Sequence, residues 1–157
     1  MGSPLALLAR RATLRRTAAA SVRQQVDIMQ TYEMTIYAIG VLALLLLSQL
    51  LVADVVGILS KHTPGSAIGG GHSDLLFRVS RTAANTNESI AIFILATLFC
   101  ILSGASPTYT AYGAWGFVLS RALYAVFYYS NLQTLRSATF AISLCCLLGL
   151  LLTGFLR

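Results

Sequence analysis

A chain of 157 residues that is 57% hydrophobic, 10% charged and has a mean hydropathy of +0.76 is not an ordinary soluble domain, in which about a quarter of the residues are charged. Its net charge of +6 is concentrated at one end, since Arg10, Arg11, Arg15, Arg16 and Arg23 all precede Asp27. The hydrophobic body retains almost no excess charge, which excludes the basic surface that nucleic-acid binding requires.

The first residues, to about 26, combine these arginines with Ala, Ser and Thr and carry no acidic group before Asp27. That is the composition of a mitochondrial transit peptide, and equally of a basic amphipathic arm lying on anionic lipid. The apolar patch from Leu5 to Leu8 is too short to be the core of a secretory signal. Residues 1–30 are therefore expected to form a basic arm and residues 31–157 a membrane domain, in a mitochondrial or a bacterial inner membrane.

The first span is expected from Met34 to Leu59, most apolar from Val41 to Leu47. Lys61 to Asp74 contains Pro64, Gly65 and the run Gly69, Gly70, Gly71 and reads as a loop outside the bilayer. No Walker lysine follows the glycines, and His62 and His72 lack thiolate or carboxylate company, so the loop is read as solvated and free of metal. Cys100, Cys145 and Cys146 lie in apolar runs with no CxxC spacing, which supports neither a zinc site nor a disulfide framework and points to buried small hydrophobes.

The second span opens on Arg78, Arg81, Asn85 and Glu88 and then runs apolar to about Ser103. Spacings of three, four and three place these four groups on one stripe of a helix. Ionisable groups at bilayer depth are costly unless they face a bundle interior or a water-filled cleft, so the stripe marks a candidate site. Pro107 closes a short turn before a third span, Tyr109 to Tyr129, where Gly113 and Gly116 permit close helix approach. Arg121, Tyr124 and Tyr128 form a second stripe near its end, and Arg136 and Ser137 open a fourth span that runs apolar from Ala138 to Leu156. In an up-and-down bundle the start of the second, the end of the third and the start of the fourth span share one membrane side. Both stripes and Arg136 are therefore expected to meet. A structural ion pair between Glu88 and Arg121 is the alternative to a ligand site.

Three motifs carry a resemblance: Arg78-x-x-Arg81-x-x-x-Asn85-x-x-Glu88, Arg121-x-x-Tyr124-x-x-x-Tyr128, and Leu135-Arg136-Ser137-Ala138-Thr139-Phe140. In this order they resemble the MAPEG proteins, membrane-associated proteins of eicosanoid and glutathione metabolism. The resemblance implies an all-α protomer of four transmembrane helices, assembled as a homotrimer in lipid, with glutathione as the bound cofactor. It further implies that Arg81 and Arg121 hold the carboxylates of glutathione and Glu88 its ammonium. Asn85, Tyr124 and Tyr128 complete the binding set, and Arg136 with Ser137 stabilises the thiolate. Such a protein would transfer glutathione to a lipophilic electrophile, or reduce a peroxide with it. Ala83 and Ala84 depart from the pattern, since enzymes of the family usually carry His or Gln two residues after the arginine matched by Arg81. That departure, with the arginine-rich arm, suggests the other reading: a non-catalytic subunit of a larger membrane complex with further partner subunits.

Overall fold

The computed structural model describes residues 4–157, with side chains given for Arg10 and from Arg15 onward. All regular structure among them is helical: α1 (Pro4–Thr31), α2 (Glu33–Leu59), α3 (Leu75–Ser103), α4 (Pro107–Tyr129) and α5 (Gln133–Phe155). The chain divides into two compact units, residues 1–33 and 34–157.

The first unit is the single helix α1. Its abundant Ala, Leu, Arg and Gln are strong helix formers, which accounts for 28 residues of helix without a core. At 100° per residue, Arg10, Arg15, Arg16 and Arg23 spread over more than half the circumference, and every side chain from Arg15 to Thr31 is exposed. The expectation of an amphipathic arm is thereby corrected, because the charges ring the helix instead of gathering on one side.

In the second unit, α2, α3 and α5 are long and apolar enough to cross a membrane, with mean hydropathies of 2.4, 1.7 and 2.1 over their most apolar stretches. α4 has the same 23 residues as α5 but falls short in apolarity, because Thr110, Gly113, Gly116, Ser120 and Arg121 interrupt it. Leu44, Leu59, Leu95, Leu102, Phe155 and Leu156 each expose two thirds or more of their surface, as side chains turned toward lipid would.

The helix ends follow local chemistry. The Asp74 carboxylate accepts from the backbone N–H of Leu76 at 2.9 Å and caps α3, which thus begins just before the first arginine of the stripe. α3 stops at Gly104, whose φ of 70° is left-handed and whose N–H returns to the carbonyls of Cys100 and Ile101. Pro107 sits at the first position of α4, where its missing N–H costs nothing. Asn131, with φ 60°, makes the turn into α5, which begins at Gln133, so Arg136 and Ser137 lie within the first two turns of that helix.

The core sits where α3, α4 and α5 pack on one another. Phe93 of α3 stacks on Phe117 of α4 at 4.7 Å between centroids, and the Cys100 thiol points at the Leu150 carbonyl, 3.1 Å away. α2 adds Ala38 and Leu42 to this core, and the Trp115 indole donates to the Met34 carbonyl at 3.0 Å. The close approach of α4 and α5 depends on glycine. A Cβ on Gly113 would fall 2.8 Å from Leu150, and one on Gly116 would fall 2.9 Å from the Cys146 sulfur. Of the three cysteines only Cys100 is fully buried; Cys145 is exposed on α5, contrary to the reading of all three as core residues.

Candidate functional site: a cationic cleft between α3, α4 and α5

A cleft of about 530 Å³ opens where the N-terminal half of α3, the C-terminal half of α4 and the first turns of α5 meet. Arg81 and Asn85 line it from α3, Tyr124 and Tyr128 from α4, and Arg136, Ser137 and Phe140 from α5, with His72 and Phe77 at its edge. Six of the eight site residues expected from sequence thus share one cavity. The helical stripes and the alternating direction of α3, α4 and α5 bring them there.

The cleft has a polar wall built from ordered contacts. Asn85 Nδ2 donates to the Tyr124 hydroxyl oxygen at 2.7 Å. A hydroxyl that accepts from an amide still has its own proton to give, so Tyr124 presents a donor to whatever enters. The Arg136 guanidinium lies over the Tyr128 ring, 4.7 Å from its centroid, which fixes the fork by cation–π contact. Ser137 is exposed, and its hydroxyl donates to the Gln133 carbonyl at 3.0 Å; its oxygen remains free only to accept.

Arg121 is placed differently. It is fully buried, behind the wall of the cleft, with Nη2 donating to Thr86 Oγ1 at 3.0 Å and with Nε and Nη1 lacking any hydrogen-bond partner. Its guanidinium carbon sits 4.5 Å from the Tyr124 ring centroid and 5.7 Å from that of Phe140. In this position it does not touch the cavity, and a carboxylate in the cleft would feel its charge through the Tyr124 ring. Arg81, Arg136 and the buried Arg121 make the region cationic, and no carboxylate lines it.

Glu88 lies outside the cleft and is exposed on α3. Since Nε and Nη1 of Arg121 are unpartnered and Nη2 is held by Thr86, no hydrogen-bonded Glu88–Arg121 bridge exists. Glu88→Gln is therefore expected to leave the melting temperature in detergent within about two degrees of the parent, because it breaks no hydrogen bond to Arg121. A double-mutant cycle with Arg121→Met should show coupling below about 0.5 kcal/mol; a coupling of several times that size would restore the buried ion pair.

His72 belongs to the site although the sequence reading left it in solvent. Its ring packs edge-on against Phe77 at 5.4 Å, and its Nδ1 is 3.4 Å from the Tyr128 hydroxyl. Arg78 holds it there: Nη1 donates to the carbonyls of His72 and Ser73 at 2.7 and 2.9 Å, while Nε donates to the carbonyl of Tyr129 at 3.3 Å. One arginine thus ties the loop before α3 to the end of α4. The signal in the sequence was position, since His72 lies two residues ahead of the capping Asp74 and so at the level of Arg78. Among the described residues no cluster of His, Cys, Asp and Glu is suited to hold a metal.

Comparison with known proteins finds that residues 34–156 match the family model of the MAPEG family. No curated protein matches the chain.

Proposed function

Since the chain belongs to the MAPEG family, we propose that the cleft between α3, α4 and α5 binds glutathione and serves a transferase or peroxidase acting on a lipophilic electrophile. The observation that carries this reading is the cleft's charge: two arginines and an oriented tyrosine hydroxyl face a cavity with no carboxylate. Glutathione brings two carboxylates and a thiol that must ionise. Arg81, exposed at the mouth, suits a carboxylate, and Asn85 with Tyr124 suits the peptide groups. Arg136, with its fork fixed on Tyr128, suits the thiolate, because a neighbouring cation lowers a thiol's pKa from its free value near 8.5. Glutathione S–H would lose its proton to solvent, and the thiolate would form a C–S bond to the electrophilic carbon as that carbon's leaving group departs with its bonding pair, or as a π pair shifts away and is protonated by water. Ser137, whose own proton is engaged by Gln133, offers only an acceptor and would orient the S–H before it ionises.

The fourth crossing and the oligomer belong to this proposal. α4 completes a four-span bundle because its polar positions face the neighbouring helices and the cleft. Glu88 lies about 20 Å along α3 from Leu75, and a carboxylate left facing hydrocarbon there is costly. A neighbouring protomer in a homotrimer, together with the ligand's ammonium, would cover it. The basic helix α1 (Pro4–Thr31) suits the anionic face of an inner membrane, mitochondrial or bacterial.

Detergent-solubilised protein titrated with glutathione by calorimetry should bind in the micromolar to millimolar range. Arg81→Ala should weaken binding by about tenfold or more, the value of one charge-assisted hydrogen bond. No heat at millimolar glutathione would end the reading. The tethered Ser137 hydroxyl and the aliphatic Ala83 and Ala84 favour the second reading, a non-catalytic subunit. Native mass spectrometry separates the two: a homotrimer alone supports the enzyme, whereas co-purifying foreign subunits support the complex.

A further inference from the structure

His72 is the polar cleft residue to which the chemistry proposed above gives no task. It sits in a turn closed by the Asp74 N–H, which donates to the Gly71 carbonyl at 2.9 Å. Arg78 grips that turn from α3 through the carbonyls of His72 and Ser73, and reaches the Tyr129 carbonyl at the end of α4. The exposed imidazole therefore stands at a fixed place, edge-on to Phe77 and with Nδ1 3.4 Å from the Tyr128 hydroxyl. A histidine left to solvent needs no such hold.

Tyr128 connects this imidazole to Arg136. The guanidinium lies 4.7 Å from the centroid of the Tyr128 ring, and the His72 ring lies 5.8 Å from the same centroid. The charged groups beside the imidazole are Arg78 from α3 and Arg136 from α5, and the titratable group it meets on α4 is Tyr128. No carboxylate lines the cleft. Arginine and tyrosine keep their protons near neutral pH, and asparagine and serine take none up. Imidazole is thus the one side chain among the described lining residues that exchanges a proton there.

We propose that His72 receives the proton of the glutathione thiol, relayed through the Tyr128 hydroxyl, on its way to solvent. The inference rests on the reading above, in which glutathione occupies the cleft with its sulfur at Arg136. A hydroxyl can accept one proton while giving up another. The S–H proton passes to the Tyr128 oxygen as the hydroxyl's own proton passes to His72 Nδ1, the ring carrying its first proton on Nε2. The S–H bonding pair stays on sulfur as the thiolate, Tyr128 ends as it began, and the exposed imidazolium yields a proton to water. Arg136 then sets how much thiolate exists at equilibrium, and His72 sets how fast it forms.

The test uses the full chain in detergent, mixed rapidly with glutathione while the ultraviolet absorbance of the thiolate is recorded; calorimetry on the same samples reports binding. His72→Gln keeps a polar side chain in the turn but removes the base. It should slow the appearance of thiolate about a hundredfold, within the usual range for a lost general base, and leave the final absorbance and the glutathione affinity close to those of the parent. Free imidazole should restore the rate in proportion to its neutral form, followed across a pH series at constant total imidazole. Tyr128→Phe, which keeps the ring beneath Arg136, should slow the step as much and gain nothing from imidazole. A parental rate in either variant would overturn the proposal, as would a rescue indifferent to the protonation of imidazole, which marks a filled gap in place of a base. A parent that binds no glutathione fails the proposed function itself, and calorimetry reads that outcome separately. Normal binding with His72→Gln as fast as the parent fails the relay alone.

Discussion

Arg136→Ala is expected to lower turnover of glutathione with a lipophilic electrophile by about 10²- to 10³-fold, the usual cost of removing a group that stabilises charge developing in the transition state. Affinity for glutathione should fall much less, because Arg81 and the Asn85–Tyr124 pair remain to hold the rest of the tripeptide. The geometry makes this split specific. Arg136 lies over the Tyr128 ring and is set on the first turn of α5, so its loss removes a fixed cation without withdrawing a packing element. Arg136→Lys should recover only part of the rate, since an ammonium on a flexible stem loses the planar contact with the ring. The direct readout is the thiolate itself: its ultraviolet absorbance in the bound complex, followed against pH, should appear at higher pH in the alanine variant. An unchanged thiolate titration would remove Arg136 from this role.

The largest effect on stability is expected at the α4–α5 contact. Gly113→Leu forces a Cβ to within 2.8 Å of Leu150, a side chain with no exposed surface and hence no room to retreat. Overpacking of this kind costs about 1 to 3 kcal/mol, and a leucine at a backbone-close crossing belongs at the upper end. Gly113→Ala should destabilise less, and combining it with Leu150→Ala should recover part of the loss, because the atoms the new Cβ meets are those of Leu150. Melting in detergent, followed by circular dichroism, measures the series. Because α4 carries Tyr124 and Tyr128 and α5 carries Arg136, Gly113→Leu should also abolish glutathione binding; Gly113→Ala with Leu150→Ala should largely restore it.

The convergence of Arg81, Asn85, Tyr124, Tyr128, Arg136 and Ser137 could be read from the sequence because two simple rules determine it. Helical periodicity assigns each polar residue to a stripe, and short connections between antiparallel helices bring stripe ends to the same side. Depth is another matter. A stripe of this kind covers a face about 60° to 80° wide, and within it a residue can point into a cavity or into the seam between two helices. Arg121 and Tyr124 lie on one stripe, yet Tyr124 lines the cleft and Arg121 is sealed behind it against Thr86. Glu88 illustrates the same limit in the opposite sense, since it shares a stripe with Arg81 but faces out of the protomer. His72 escaped because periodicity says nothing about a loop; Arg78, through two backbone carbonyls, sets its place. In α1 composition alone serves a targeting signal and an amphipathic arm alike, and only the angular placement of the arginines on the helix separates the charges from a single face.

The residues that line the cationic cleft all lie between His72 and Phe140, and α2 supplies none of them. The binding chemistry is therefore encoded in a contiguous segment that begins after the glycine run, while α2 serves that segment by packing, through Ala38 and Leu42 in the shared core and the Met34 carbonyl under Trp115. Substitutions in α2 would thus reach the cleft only through the stability of the bundle, not through the groups that meet a ligand.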